Sequence, residues 1–377
     1  MKKLFVLLSL LLVILAPQVA YADLEQDLNE QVQQGLGNLD FSQVDQVTSG
    51  YIGDLVAKIQ QIISGEFESP ESFLKTIFVL FGGNFSYILP KLICLFVVLV
   101  LVGLMRKTSG GFISQSTDEL VSFVGRAVML FTLISLFVDV FKQVAETVDQ
   151  LSVLTNASMP VLLTLIVANG SNNLSAVCQP AMVMFSGVII SIVKQVLLPT
   201  TICATAFGFV SNLSQNVRVS KISTFLSSAS SWLLGIMFTV FGAFTSVQGI
   251  VAGGLDGVSY RMAKFTAKNY IPLLGGYISD GFDIVVASTS LIKNSFGLVL
   301  LVVVILMIVK PLLIILALNL GLQGVCALSE PMVDTNNTKI FTAVSKSLTF
   351  LSALLIAVAF MFSILVIVAI TCANGVM

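Results

Sequence analysis

Long apolar runs limit this chain to one broad architecture. Runs such as 89–105, 198–213, 311–328 and 348–371 are almost free of charge. About 20 such residues cross the ~30 Å hydrocarbon layer of a bilayer as a helix. Across all 377 residues, 56% are apolar and only 10% are charged, against roughly 45–50% and about 25% in an ordinary soluble domain. With a mean hydropathy of +0.99, a soluble fold has too few charges to cover its apolar surface. The chain is expected to be an all-α, polytopic membrane protein.

The composition also removes whole classes of chemistry. The formal charge of −1 argues against a broad basic surface for nucleic acid. No histidine is present, which removes Ser-His-Asp triads, HExxH zinc sites and histidine proton relays. The dipeptide Gly-Lys never occurs, so there is no P-loop. Cys94, Cys178, Cys203, Cys326 and Cys372 form no CxxC and lie in or beside apolar runs, where a lone cysteine packs as a small hydrophobe. No catalytic residue, cofactor or metal site is expected.

Residues 1–22 have the pattern of a secretory signal. Lys2 and Lys3 precede an apolar stretch at 4–16, and Ala20-Tyr21-Ala22 offers small residues at cleavage spacing. Cleaved or retained as an anchor, this places residue 23 outside the cytoplasm. The segment 23–80 is then extracytoplasmic. It carries Asp23, Glu25, Asp27, Glu30, Asp40, Asp45, Asp54, Glu66, Glu68 and Glu71 against only Lys58 and Lys75. Within it, Val44, Val47, Ile52, Leu55, Ile59 and Ile62 recur at helical spacing and form one apolar stripe, with Asp40 or Ser42 available as a cap. A lone amphipathic helix has no core of its own. Lipid is the weakest support, because surface helices carry Lys and Arg on their polar face. That leaves the rest of this chain or a partner, with Val44, Val47, Leu55 and Ile59 as the candidate interface.

The core, 81–377, contains an internal pattern. Leu89-Pro90-Lys91-Leu92-Ile93-Cys94 recurs as Leu198-Pro199-Thr200-Thr201-Ile202-Cys203 and, more loosely, as Lys310-Pro311-Leu312-Leu313-Ile314. Each copy opens an apolar run, leads into a polar loop with basic residues, and is followed by a second run. Three parallel helical hairpins are expected at about 88–141, 197–252 and 309–371, with proline tolerated near each helix start. The loops hold Arg106 and Lys107, Arg218 and Lys221, and Lys339 and Lys346. The positive-inside rule places all three in the cytoplasm.

Two connectors join the hairpins, and parallel repeats require each to cross the membrane an even number of times. Two crossings each give ten spans and none gives six; eight to ten is the preferred count. The connectors contain Asn169-Gly170-Ser171-Asn172-Asn173 in one, and Pro272, Gly275, Gly276, Asp280 and Asp283 in the other. These residues favour broken or re-entrant helices sheltered from lipid. Arg261, Lys264 and Lys268 lie one span beyond a cytoplasmic loop and break the charge rule on one side or the other. Arg126, Lys194 and Lys310 fall within apolar stretches, and Asp139 lies near a span end. Charge at such depth points to an interhelical pair, a polar pathway or snorkelling to a headgroup.

The chain resembles the stage III sporulation protein AE family of endospore-forming bacteria. The resemblance is carried by Gly253-Gly254-Leu255-Asp256-Gly257, by Arg261-Met262-Ala263-Lys264-Phe265, and by Asn269-Tyr270-Ile271-Pro272-Leu273-Leu274-Gly275-Gly276 through Ser279-Asp280. Lys293-Asn294-Ser295-Phe296-Gly297 and Met159-Pro160-Val161-Leu162-Leu163 add to it. It implies a subunit of an apparatus in the mother-cell membrane around the forespore. The implied partners are a cytoplasmic ATPase, ring-forming and small membrane proteins, and a forespore membrane protein across the intermembrane space. The implied function is a channel that sustains late forespore gene expression. The alternative is a self-sufficient secondary transporter with a midplane solute site in broken connectors. Against it stands the acidic amphipathic segment, which suits assembly and which a transporter does not need.

Overall fold

The computed structural model describes residues 30–64, 88–101, 115–168, 172–213, 219–252, 275–329 and 335–372. The signal segment, the basic segment at Arg261–Lys268, Pro272, and the loops holding Arg106 and Arg218 lie outside them. Every described element is helical. Three short helices come first: α1 (30–37), α2 (Ser42–Ile52) and α3 (Leu55–Ile63). A short apolar helix, α4 (88–101), follows. The long helices are α5 (Gln115–Ala168), α6 (Asn172–Ile192), α7 (Leu198–Leu213), α8 (Ser220–Ala252), α9 (Gly275–Ser329) and α10 (Thr335–Cys372). Among the described residues, five stretches are long and apolar enough to span a membrane: Phe123–Ala168, Met182–Ser211, Ser220–Val247, Ile284–Leu328 and Ile340–Thr371. The protein is a multi-pass helical membrane protein.

The helices form one bundle. α9 packs on α5 and α10, α10 also meets α5, α7 and α8, and α7 pairs with α8. The core is built from side chains such as Leu133, Leu154, Leu300, Val303, Leu318, Leu351 and Leu355.

The sequence map counts the apolar runs of α5 and α9 as separate spans, but the structure joins each set into a single helix. α5 passes through Pro160 and α9 through Pro311. A proline inside a helix removes one hydrogen bond and crowds the carbonyl four residues back. At α6–α7 that strain is absorbed by a π-helical turn, Val193–Leu197, just before Pro199. The Thr200 and Thr201 hydroxyls donate to the Val196 and Leu197 carbonyls within this turn. The proline of the second copy thus follows a turn that is already helical, and Pro311 lies in mid-helix. Only Pro90 stands near a helix start that follows undescribed residues.

The break expected across Ile271–Asp283 is absent from Gly275 onward, because those residues form the first turns of α9. Glycines cost a helix least at its end.

The acidic segment folds as a cap, α1–α3, on the outside of α5 and α9. Val44, Leu55 and Ile59 are fully buried, and Val47, Ile52 and Ile62 pack partly buried against the same core. Of the supports left open by the sequence, the stripe is seated on the chain itself. Phe41 meets Phe296 at 5.4 Å between ring centroids, and the Tyr51 hydroxyl donates to Gln150 Oε1 at 2.7 Å.

The turn between α2 and α3 uses Gly53 at φ 74°, a conformation that side chains rarely adopt. Asp54 then caps α3 by accepting from the Val56 and Ala57 amides, and Asp45 accepts from the Leu55 amide. At the start of α2 the N-cap is Phe41, without a side-chain bond. Asp40 instead accepts from both the hydroxyl and the amide of Ser42. These bonds, the hydroxyl first, hold its carboxyl below the usual range.

This packing predicts the effect of two substitutions. Leu55→Asp forfeits roughly 1.5–3 kcal/mol of apolar burial and buries a carboxylate. The cap should therefore undock, and limited proteolysis of detergent-solubilised protein should cut α2–α3 at least tenfold faster. Asp54→Asn keeps a capping oxygen and should leave the cleavage rate unchanged, whereas Asp54→Ala should cost about 1 kcal/mol.

Candidate functional site: a hydroxyl-lined cavity between α7, α8 and α10

The charged residues predicted from sequence do not converge. Lys194 forms an ion pair with Asp149 across α6–α7 and α5. Asp139 on α5 pairs with Lys91 on α4 at 2.5 Å. Both pairs remain partly exposed, so they are interhelical ties and worth little individually. Lys310 lies exposed on the outer face of α9. The backbone of Arg126 lies in α5, and those of Gly275, Gly276, Asp280 and Asp283 lie in the first turns of α9; their side chains fall outside the described residues.

A large concave feature lies elsewhere. A cavity of about 960 Å³ opens between α7, α8 and α10, at the size of many ligand pockets. Twelve of its twenty lining residues are serine or threonine, so hydroxyls stand among a larger apolar share of its wall, on helices that are membrane-spanning in length. α8 supplies Ser220, Ser223, Thr224, Ser227, Ser228, Ser230 and Ser231; α7 supplies Thr201, Thr205 and Ser211; α10 supplies Thr342 and Ser347. Among the described residues, Lys346 is the charged residue of the wall.

Cross-helix hydrogen bonds shape the site. The Ser223 hydroxyl donates to the Ala204 carbonyl at 2.7 Å, joining α8 to α7. Thr205 bonds the Ser347 hydroxyl at 2.9 Å, joining α7 to α10. Gly208 lets the backbones of α7 and α8 approach: a Cβ there would stand 3.3 Å from Ser223 Oγ.

Sequence reasoning from charges and prolines passes over these residues. The available signal is the spacing 220, 223, 224, 227, 228, 231, one hydroxyl stripe along a helix face.

Comparison with known proteins bears on the whole chain. The family model for stage III sporulation protein AE matches residues 54–375. The chain belongs to that family. A curated relative, stage III sporulation protein AE of Bacillus subtilis (strain 168), is 26% identical over 327 residues, covering 84% of this chain and 79% of the relative. No solved structure matches. The family match begins at Asp54, the cap of α3, and includes every residue that lines the cavity. Membership ties this multi-pass membrane protein to sporulation.

The tight α7–α8 approach in this stage III sporulation protein AE family member gives a graded prediction. Thr205→Val removes one hydroxyl link, and its thermal stability in detergent should fall by about 1 kcal/mol or less. Gly208→Leu should lower it by at least 2 kcal/mol, since overpacking a helix contact costs roughly 1–3 kcal/mol.

Proposed function

We propose that this chain is a non-enzymatic subunit of a channel complex between mother cell and forespore. In this reading it spans the mother-cell membrane around the forespore, and its signal segment directs the acidic cap into the intermembrane space. Its partners are the other stage III membrane proteins, ring-forming proteins, a cytoplasmic ATPase and a forespore membrane protein. The family match over 54–375 carries the reading. The lack of a P-loop in the sequence suits energy supplied by a separate subunit.

The cavity gives a second reading, a self-sufficient secondary transporter, one physical support. A tagged chain cross-linked and purified from sporulating cells should bring down other stage III membrane proteins. Its deletion should silence a late forespore reporter. Recovery of the chain alone, with solute-coupled uptake by purified protein in liposomes, would replace the channel reading with the transporter.

A further inference from the structure

We propose that the cavity between α7, α8 and α10 is a water-filled vestibule that binds a small hydrophilic solute, neutral or anionic and able to hydrogen-bond to hydroxyls. The inference rests on the channel-subunit reading and gives this chain a direct part in what that complex passes.

Polarity is the first argument. Empty cavities in proteins are apolar, whereas cavities walled by polar groups hold water. Here hydroxyls from three helices face a space of about 960 Å³, room for many waters or for one solute and its hydration.

The second argument is the direction of the hydroxyl hydrogens. Thr201, Thr224, Ser230 and Ser231 donate to carbonyls one turn back on their own helices, and Ser223 donates to Ala204. These five donors are spent within the helices, so their oxygens present lone pairs to the space. The hydroxyls of Ser227 and Ser228 can turn either way, so the wall can both accept from and donate to a hydrophilic solute.

Charge supplies the third argument. Among the described residues no carboxylate lines the cavity, and Lys346 does. A cation meets repulsion there without compensation, whereas a neutral or anionic solute does not.

Position adds a route. The cavity lies where α7 ends, α8 begins at Ser220, and α10 passes Thr342 to Phe350. Lys221 and Lys346 mark this end of the helices, which the positive-inside rule assigns to the cytoplasm.

The test uses the full chain with its five native cysteines replaced by alanine and single cysteines introduced in inverted and right-side-out vesicles. Ser227→Cys and Ser228→Cys should react with a membrane-impermeant thiol reagent from the cytoplasmic side. Phe225→Cys, on the outward face of α8 where Phe225 is 72% exposed, should not. At Ser227→Cys an anionic reagent should outpace a cationic one several-fold, and Lys346→Glu should reverse that preference. Sorbitol, as a donor-rich neutral probe, should slow labelling at Ser227→Cys.

No labelling at either serine position means a dry cavity and overturns the proposal. Equal labelling at Phe225→Cys also overturns it, since α8 is then simply solvated. Labelling without sorbitol protection overturns the solute site. Filling the space with Ser228→Trp should cut sporulation at least tenfold while stage III partners still co-purify at normal membrane levels; normal sporulation would overturn the proposal and leave the channel-subunit reading standing. Loss of co-purification in the unmodified chain would count against that reading alone.

Discussion

In hydrocarbon no water is available to satisfy a backbone amide or carbonyl, so each segment must satisfy its own. That requirement accounts for the wholly helical bundle and for what happens at its awkward residues. Where Pro199 lacks an N–H, the preceding turn widens to a π-helix and threonine hydroxyls reach back to its carbonyls. The same device recurs at Thr164, whose hydroxyl donates to the Pro160 carbonyl. It recurs along the serine-rich start of α8, where Thr224, Ser230 and Ser231 bond one turn back. Such bonds let a helix carry hydroxyls at membrane depth without leaving donors unpaired.

Charge in the bundle follows a related economy. Lys91 with Asp139 and Lys194 with Asp149 tie α4 and α6–α7 to α5, so two of the isolated-looking charges of the sequence are halves of local pairs. Lys293 is different: it is fully buried in α9, one turn before the Phe296 ring on which Phe41 of the cap rests. Around it stand buried Ser290 and Ser295 on α9, and Thr48 is buried in α2. The cap therefore closes over a segment of α9 that mixes apolar and polar side chains. Its own apolar stripe seals that segment from outside.

The architecture was legible where it depends on period and hydrophobicity. Runs near 20 apolar residues mark spans, and the stripe at Val44, Leu55 and Ile59 marks a helical face that must be buried. Local rules failed where tertiary context decides. Pro311 and the cluster from Gly275 to Asp283 look like breaks one residue at a time. In the structure their backbone belongs to one helix of 55 residues. The cavity was missed for a different reason. Its serines are neutral, small and compatible with a membrane helix, so they disturb neither hydropathy nor charge. Only their helical spacing, and the presence of α7 and α10 opposite, turns them into a wall.

Length sets the last constraint on how the bundle meets a membrane. The apolar stretch Ile284–Leu328 holds 45 residues, about 67 Å of helix at 1.5 Å per residue, against roughly 30 Å of hydrocarbon. Even a tilt of about 40° leaves a vertical extent near 51 Å, so a large part of α9 lies outside the hydrocarbon. The cap indicates which part. Its outward side carries exposed Glu30, Gln33, Gln34, Gln43, Gln46 and Asp54, groups that hydrocarbon does not tolerate without partners. Because the cap contacts α9 near Ile292 and Phe296 and α5 near Gln150, those levels of both helices stand in water or against protein. The bilayer must then take the other end of α9, toward Pro311 and Leu328. That is also the end at which α10 and α7 meet through Ser347 and Thr205, and where the hydroxyl-lined cavity lies.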